Sequence, residues 1–208
     1  YTTQAIHHAA IEPHVAIADF APNGKLTVYS PCQNTFAFRV IMSRIFGLSY
    51  NRIRMVAPAI GGAFGGKLEV TVEPVAAVLS QMTGKPVKVE YNRKESILST
   101  RVRHASVNYV KTGFMKDGTL KAVDFKVYTN TGAYASSALN VSGAMSHKVF
   151  KAYKIDHMRF QCQPVYTNTE IAGAMRGYGS PQVYFGWQRQ MQKIADFLHM
   201  DMAALQMK

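Results

Sequence analysis

Residues 61–67 of this chain read Gly61-Gly62-Ala63-Phe64-Gly65-Gly66-Lys67. Four glycines surround one aromatic residue, and a stretch with helical character follows. Glycine is favoured where the backbone must take a positive φ or approach a ligand closely. A loop of this kind can direct several backbone N–H groups at an anion. The stretch therefore predicts a loop that binds an anion or a cofactor, with an ordinary surface turn as the alternative.

A second glycine-rich stretch lies far downstream, at residues 173–182: Gly173-Ala174-Met175-Arg176-Gly177-Tyr178-Gly179-Ser180-Pro181-Gln182. Like the first, it carries an aromatic residue next to glycines, and a helical pattern comes after it. Two turns of this kind in one chain favour two sides of one cofactor pocket. Turns are also the most common place for glycine, so two unrelated surface turns remain open from composition alone.

Two familiar phosphate-binding motifs are excluded at the first loop. Residues 61–67 come close to the P-loop pattern G-x-x-x-x-G-K, but Leu68 follows where Ser or Thr must hold Mg²⁺. The dinucleotide fingerprint also fails, because Ala63 stands where the second glycine of G-x-G-x-x-G is required. The loop therefore belongs to another class of binding site.

Composition indicates a folded, basic chain. The 208 residues are 48% hydrophobic and 17% charged, which is typical of a globular protein. The formal net charge is +12, from 24 Lys plus Arg against 12 Asp plus Glu. These charges are scattered and no nucleic-acid-binding motif accompanies them, so we expect no nucleic-acid partner. They indicate a solvated surface, a face that meets acidic partner domains, or attraction of an anionic cofactor.

Apolar runs and cysteines add two further expectations. No apolar run approaches the roughly 18 residues that a membrane helix needs, so we expect no membrane span. Only Cys32 and Cys162 are present, which are too few for a zinc or iron–sulfur site of their own. They are expected to be reduced, buried thiols of a cytoplasmic protein. The start at Tyr1 rather than Met indicates an excised segment.

Local patterns predict a mixture of strands and helices. Hairpin signals at Asn23-Gly24 and Asp117-Gly118 separate runs of alternating hydrophobicity. The strands are predicted at 14–20, 25–30, 52–57, 86–91, 104–114, 119–129 and 159–165. The helices are predicted at 36–46, 73–82, 93–98 and 180–199, with a partial helix from 201 onward. Because no βα rhythm repeats, we predict an α+β fold with mixed sheets, hairpins and packed helices.

Helix boundaries rest on capping residues. Thr35 and Ser180 are predicted N-caps, and Pro181 fits the first helical position after Ser180. Gly47 and Gly84 are predicted to end the first two helices. Residues 130–148 are small and polar, and they predict an irregular loop with some helix.

Together the two glycine-rich stretches resemble the signature of the molybdenum hydroxylases, the family of xanthine dehydrogenase and aldehyde oxidase. Members share a Gly-Gly-x-Phe-Gly-Gly-Lys loop and, later, an Arg-Gly-aromatic-Gly-x-Pro-Gln turn. Further resembling segments follow in order along essentially the whole chain: Glu12-Pro13, Pro31-Cys32-Gln33-Asn34-Thr35, Thr112-Gly113-Phe114-Met115-Lys116-Asp117-Gly118-Thr119 and Ala152-Tyr153-Lys154-Ile155. Each segment alone is a weak signal, but the ordered set is specific.

The resemblance implies a set of cofactor-binding residues. In the family, the backbone of the glycine loop contacts the molybdenum ligands and the pterin. Carried over, Phe64 and Gly65 lie beside the metal, while Gly62 and Ala63 lie nearer the pterin. Gln33 offers an amide donor that does not titrate, and the matching Gln of the family approaches an oxo ligand of molybdenum. No side chain of this chain is implied as a direct metal ligand.

The second turn supplies the remaining implied residues. In the family, the backbone of the residue matching Arg176 lies at the metal centre, and its guanidinium organises the glycine turn. Tyr178 matches an aromatic residue that stacks on a flat substrate opposite Phe64. Two rings at stacking distance suit an aromatic heterocycle or an aldehyde.

Two departures concern the substrate. Purine-oxidising members carry a Glu directly after the loop Lys, where this chain has Leu68, with Glu69 one place later. They also carry an Arg in the segment that aligns with residues 142–146, where this chain has Ala144. A buried purine without these partners would leave polar groups unsatisfied. We therefore expect an aldehyde or another N-heterocycle in place of xanthine.

The resemblance implies that residues 1–208 are the N-terminal half of a molybdenum-cofactor-binding domain, a fragment of a larger subunit. The expected cofactor is molybdenum on molybdopterin, with or without a nucleotide tail. The catalytic base and most of the pterin cradle are expected in the second half of that subunit, and FAD and [2Fe–2S] clusters on partner domains or subunits. The isolated fragment is therefore expected to be inactive. The alternative is a non-catalytic module that binds an anion or a nucleotide.

Overall fold

The computed structural model describes the backbone of residues 1–208 and every side chain except those of His147 and Val149. The chain divides into two compact units. The N-terminal unit is His7–Thr100, and the C-terminal unit combines Tyr1–Ile6 with Arg101–Lys208. Each unit has its own sheet and its own hydrophobic core.

The described strands and helices are numbered in chain order. The strands are β1 (Thr2–Thr3), β2 (Ile6–His7), β3 (Val15–Phe20), β4 (Leu26–Tyr29), β5 (Ile53–Val56), β6 (Val87–Glu90), β7 (Val102–Arg103), β8 (Ser106–Phe114), β9 (Leu120–Gly132), β10 (His157–Tyr166) and β11 (Ala172–Gly173). The α-helices are α1 (Thr35–Phe46), α2 (Glu73–Thr83), α3 (Arg93–Ser99), α4 (Ala138–Val149), α5 (Ser180–Leu198) and α6 (Met202–Gln206). Short 3₁₀ helices occupy Tyr50–Arg52 and Phe150–Ala152.

The sheet of the N-terminal unit has the strand order β5-β4-β3-β6. Strand β3 is antiparallel to β4 and to β6, whereas β4 and β5 run parallel. Buried and more exposed residues alternate along β3 and β4, as expected for strands with one face on a core. That core is apolar and includes residues of α1 and α2: Ala16, Ala18, Leu26, Val28, Met42, Ile53, Val72, Ala76 and Ala77.

Helix α1 begins one residue earlier than predicted. Asn34, and not Thr35, is its N-cap, because the Asn34 side chain accepts a hydrogen bond from the Ala37 N–H at 3.0 Å. The predicted stops are confirmed: Gly47 follows α1 with φ of 63°, and Gly84 follows α2 with φ of 65°. Glycine takes this left-handed conformation at the end of a helix without a steric penalty.

The sheet of the C-terminal unit has the order β1-β8-β9-β10. Strands β8 and β9 form the predicted hairpin around Asp117-Gly118, and β10 then pairs with β9 in parallel. Helices α4 and α5 contribute to the core beside this sheet. The core surrounds the fully buried Trp187: Leu120, Val123, Phe125, Val127, Val141, Met145, Phe150, Val183, Met191, Ile194, Ala195 and Leu205.

The structure differs from the sequence prediction at two helices of the C-terminal unit. Residues 138–149 form the regular helix α4 within the segment that was predicted to be mostly irregular. Its Val141 and Met145 are buried, so tertiary packing overrides the weak local signal. At α5 the N-cap is Gly179, with Ser180 as the first helical residue, and no side chain caps the helix.

The predicted α+β class with mixed sheets, hairpins and packed helices is confirmed. Cys32 is free and buried, and Cys162 is free and half-buried. Burial raises the pKa of both thiols, which favours the protonated form. No helix that the structure describes has the length and apolarity to cross a bilayer.

Candidate functional site

The glycine loop at residues 61–67 follows β5 in the N-terminal unit and has an unusual backbone. Gly62 and Gly65 have φ of 101° and 102°, and Phe64 between them has φ of 53°. The Gly66 N–H donates to the Ala63 carbonyl at 2.8 Å, which closes a tight turn around Phe64. A left-handed conformation costs a residue other than glycine about 1–3 kcal/mol, and such strain is typical of binding sites.

Glu12 binds both ends of this loop. Its Oε2 accepts a hydrogen bond from the Gly61 N–H at 3.0 Å and forms an ion pair with the Lys67 Nζ at 2.5 Å. The Glu12 N–H in turn donates to the Gly61 carbonyl at 3.0 Å. The Lys67 side chain is only 4% exposed, so its ammonium is held away from water by this contact.

Gln33 binds the loop through its amide oxygen. Gln33 Oε1 accepts hydrogen bonds from the N–H groups of Gly65 at 2.9 Å and Lys67 at 3.3 Å. The Gln33 backbone N–H also donates to the Lys67 carbonyl at 2.9 Å. These contacts fix the amide orientation, because the oxygen is committed to the loop. The amide nitrogen of this exposed side chain keeps both of its hydrogens available.

His14 supports the loop from the buried side. Its Nε2 lies 3.1 Å from the Gly66 carbonyl, which only accepts, so Nε2 carries the hydrogen. Its Nδ1 is buried without a hydrogen-bond partner among the described residues. Burial lowers the pKa of His14 most, the bond to Gly66 opposes this, and the Lys67 charge lowers it further. His14 is therefore a neutral donor that fixes the loop.

The remaining loop donors are unused. The N–H groups of Gly62, Ala63 and Phe64 make no hydrogen bond with any described residue. Three successive unbonded N–H groups, in a backbone whose φ changes sign from one residue to the next, are typical of an anion-binding nest. The Phe64 ring beside them is 47% exposed, and Leu68 is half-buried. The loop can therefore bind anionic oxygens next to an apolar, aromatic surface.

The glycine turn of the C-terminal unit has the same backbone feature. Gly177, Tyr178 and Gly179 have φ of 89°, 46° and 91°. The Tyr178 N–H donates to the Met175 carbonyl at 2.7 Å, and the Ser180 N–H donates to the Gly177 carbonyl at 3.0 Å. Tyr178, like Phe64, is therefore an aromatic residue held in the left-handed region beside glycines.

Arg103 holds this turn in place. Its Nη2 donates to the Arg176 carbonyl at 2.7 Å, and its Nη1 donates to Gln182 Oε1 at 3.2 Å. The Gln182 amide nitrogen then donates to the His104 carbonyl at 3.2 Å. Burial lowers the pKa of Arg103, whose hydrogen-bond partners here are neutral oxygens. The guanidinium of Arg176 is exposed and Arg103 holds the turn, while the role expected of the Arg176 side chain stays a prediction.

A lysine adds a second cation to the turn. Lys148 Nζ donates to the Gly177 carbonyl at 3.3 Å, and it lies 6.0 Å from the centre of the Tyr178 ring. The Tyr184 hydroxyl donates to the Lys148 carbonyl at 2.5 Å. Two successive carbonyls of the turn, those of Arg176 and Gly177, are therefore bound by cationic side chains.

Each unit thus assembles part of the residue set implied by the sequence. The N-terminal unit brings Gln33 to the loop that contains Gly62, Ala63, Phe64 and Gly65. Leu68 follows directly, and its N–H donates to the Gly65 carbonyl at 3.2 Å. The C-terminal unit contains Arg176 and Tyr178 in one turn, and it places Ala144 on α4, half-buried.

Sequence reasoning missed the side chains that hold the two glycine segments. The sequence indicates Glu12 only as part of a motif or as a possible base, and it does not single out His14, Arg103 or Lys148. The backbone atoms that they bind lie 29 to 73 residues away in the chain, which leaves no local pattern to recognise. The burial of a charged residue such as Arg103 is visible only in the folded structure.

Comparison with known proteins gives one family. A family model described as the molybdopterin cofactor-binding domain matches residues 1–208. The xanthine dehydrogenase molybdenum-binding subunit of Escherichia coli O157:H7 is 34% identical over 100% of this chain. The nicotinate dehydrogenase large molybdopterin subunit of Eubacterium barkeri is 35% identical over 97% of it.

A solved structure shows the same likeness. Aldehyde oxidoreductase from Desulfovibrio gigas superposes with a TM-score of 0.92 at 31% identity over 99% of this chain. The chain spans 28% of the Escherichia coli subunit, 47% of the Eubacterium barkeri subunit and 23% of the Desulfovibrio protein. Because the family model matches the chain from its first residue to its last, the chain belongs to the xanthine dehydrogenase and aldehyde oxidase family, and within it to the molybdopterin cofactor-binding domain.

Proposed function

We propose that this chain is the N-terminal half of the molybdenum-cofactor-binding domain in a hydroxylase that oxidises an aldehyde or an N-heterocycle with oxygen derived from water. Family membership and the likeness to aldehyde oxidoreductase and nicotinate dehydrogenase support this function. When bound, molybdenum on molybdopterin supplies the two-electron oxidation of an electron-poor carbon. The residues of this chain bind and orient that group and form part of the substrate pocket.

One observation carries the proposal. Side chains of the same unit hold the glycine loop in place, while three of its backbone N–H groups make no hydrogen bond with any described residue. Gln33 Oε1 is committed to the N–H groups of Gly65 and Lys67, so the Gln33 amide N–H₂ is available to an acceptor outside the chain. The unbonded N–H groups of Gly62, Ala63 and Phe64 lie in the same loop. These donors fit the oxo and phosphate oxygens of the cofactor.

The proposed cofactor contacts follow from those donors. Gln33, Gly62, Ala63 and Phe64 contribute amide or backbone N–H groups, and the Gly65 N–H serves to orient Gln33. On the C-terminal unit, the backbone of Arg176 is the proposed contact. Arg103 fixes the position of this backbone through the Arg176 carbonyl. The cofactor with or without a nucleotide tail would use the same contacts.

The proposed substrate is flat and lacks the polar edges of a purine. Phe64 and Tyr178 present aromatic rings from strained backbone, and Leu68 offers an apolar side chain. Neither Leu68 nor Ala144 provides a charge or a hydrogen bond for a purine. An aldehyde or a less polar N-heterocycle leaves fewer polar groups unsatisfied against such residues.

Partners supply what this chain does not. The second half of the molybdenum subunit is proposed to carry the catalytic base and most of the pterin cradle. Partner domains or subunits with [2Fe–2S] clusters and FAD are proposed to take the electrons onward. The two free cysteines fit a reducing compartment such as the cytoplasm.

The test measures molybdenum and pterin content in the natural complex, purified through this subunit from its own cells. We expect stoichiometric molybdenum with co-purifying iron and flavin. Gln33→Ala should lower molybdenum retention and the rate of substrate oxidation about 10-fold or more, as loss of a preorganised donor does. Gln81→Ala is the matched control, because Gln81 is an exposed glutamine on α2 of the same unit.

One result would overturn the proposed function, and another would overturn the proposed role of Gln33. A complex free of molybdenum, from cells in which cofactor synthesis is intact, would favour the alternative, a non-catalytic module that binds an anion or a nucleotide. Equal molybdenum retention and equal rates in Gln33→Ala and Gln81→Ala would remove Gln33 from the site.

A further inference from the structure

The two ends of the glycine loop meet at one carboxylate. Glu12 Oε2 binds the N–H of Gly61, the first loop residue, and the ammonium of Lys67, the last. In sequence, Glu12 lies 49 residues from Gly61 and 55 residues from Lys67. No other described side chain binds Gly61, whereas Gln33 and His14 bind only the later part of the loop.

The contact between Glu12 and Gly61 is close enough to require glycine. A Cβ atom added to Gly61 would lie 2.6 Å from the Glu12 Cβ, inside any tolerated separation. The Glu12 N–H and the Gly61 carbonyl form a further hydrogen bond at 3.0 Å. Backbone and side chain of Glu12 therefore hold the start of the loop together.

The contact between Glu12 and Lys67 joins a buried ammonium to a partly exposed carboxylate. Lys67 is 4% exposed and Glu12 is 29% exposed. An ammonium buried to this extent is strongly destabilising when its partner is removed, because its desolvation is then uncompensated. The pair therefore constrains the end of the loop.

We infer that Glu12 is the positioning residue of the glycine loop, acting through Gly61 and Lys67 to keep the donors of Gly62, Ala63 and Phe64 in place for the cofactor. A glycine-rich segment held at one end samples many conformations, and ordering it again costs entropy. Closing both ends on one carboxylate removes most of that freedom before the cofactor binds. This role rests on the proposed function, since that function assigns the loop to the cofactor.

The experiment compares variants of the full natural complex by amide hydrogen exchange and molybdenum content. Glu12→Gln keeps an oxygen acceptor for Gly61 but removes the charge that holds Lys67. We expect exchange in the peptide covering residues 57–68 to rise about tenfold or more, with a hydrogen bond to a charged group lost. Exchange in β4 should stay unchanged, and molybdenum content should fall.

Two further variants separate positioning from general loss of structure. Glu90→Gln makes the same chemical change in the exposed Lys88–Glu90 pair of the same unit, and it should alter neither measurement. The double variant Glu12→Gln with Lys67→Met removes the buried charge together with its partner, so it should fold even where Glu12→Gln alone does not. It should still show faster exchange at Gly61, because the hydrogen bond from the Gly61 N–H to the side chain of residue 12 is weakened.

The outcomes distinguish this inference from the proposed function. Unchanged loop exchange and full molybdenum content in Glu12→Gln, or in the double variant where Glu12→Gln does not fold, would overturn the positioning role. A wild-type complex without molybdenum would overturn the proposed function instead, while the exchange comparison would still decide whether Glu12 closes the loop.

Discussion

Two aromatic residues, one in each unit, are held in a backbone conformation that only glycine adopts easily. Phe64 has φ of 53° and Tyr178 has φ of 46°, and each has a glycine of positive φ as its next neighbour. This conformation costs each residue about 1–3 kcal/mol, which the surrounding contacts must offset. Strain of this kind persists where the side chain must be presented in a particular way. The strain at both residues therefore lies in the backbone that carries the ring.

The first prediction concerns strain at Phe64. Exchanging Phe64 for Gly should give a protein at least as stable as exchanging it for Ala, because Gly accepts a positive φ and Ala does not. The difference should favour Gly by about 0.5–1 kcal/mol. Urea unfolding of the two variants measures it.

Val78 on α2 is the matched comparison, since it is also partly exposed but lies in regular helix. There Val78→Gly should be less stable than Val78→Ala by about 1 kcal/mol. The same order at both positions would show that the Phe64 backbone is unstrained.

The second prediction concerns pH and His14. Burial lowers its pKa in the folded protein, so the unfolded chain takes up the proton first as pH falls. The stability from neutral His14 is complete above about pH 6.5, the ordinary histidine value, and is lost as pH falls below it. His14→Gln keeps a donor for the Gly66 carbonyl but does not titrate. Unfolding free energy between pH 5 and 7 should therefore fall less steeply in the variant.

Measurements between pH 7.5 and 8 are the internal control, because neither His14 nor its replacement titrates there. The two proteins should have parallel profiles in that range. Parallel profiles down to pH 5 as well would contradict the assigned shift.

Helix α2 has two distinct faces. Its packed face is made of small and polar residues, and its other face has apolar residues at positions i, i+3, i+4 and i+7. The buried residues are Glu73, Ala76, Ala77 and Ser80, and the exposed stripe is Val75, Val78, Leu79 and Met82. A contiguous exposed apolar stripe is a site of association in an isolated chain.

The third prediction follows from this stripe. Replacing Leu79 and Met82 together by Gln should raise the soluble yield of the isolated chain several-fold, with little change in its unfolding temperature, because neither side chain is buried. Light scattering and thermal unfolding measure the two quantities. Ile11→Gln is the control, since Ile11 is 90% exposed but lies outside the stripe. An equal gain from Ile11→Gln would show that overall apolar exposure, and not the stripe, sets the yield.

At the scale of elements, the sequence predicted those whose boundaries are marked by adjacent residues. Gly47, Gly84 and the Asp117-Gly118 turn end elements by positive φ, and the structure has each of them in that place. Helix α4 was not predicted as a regular helix, because Gly143 and several polar residues obscure the apolar pattern formed by its buried Val141 and Met145. The parallel pairing of β10 with β9 was also beyond local patterns, since no turn sequence encodes it.

The whole chain consists of two units with separate cores, and it spans less than half of each relative compared above. The proposed base and most of the proposed pterin contacts lie outside these 208 residues. The fourth prediction is that the chain alone holds molybdopterin weakly and shows no turnover. Molybdenum analysis and an aldehyde oxidation assay check it, with the full complex as the positive control. Turnover by the chain as the only protein would refute it.

The sequence by itself determined the family, the α+β class and the two glycine segments with their aromatic residues. These depend on positive φ, capping and periodicity, which a few neighbouring residues encode. Only the tertiary structure decided what holds those segments: Glu12 across the ends of one, and Arg103 beneath the carbonyl of Arg176 in the other. Such partners lie tens of residues apart, and the packing of the whole unit brings them within hydrogen-bond distance.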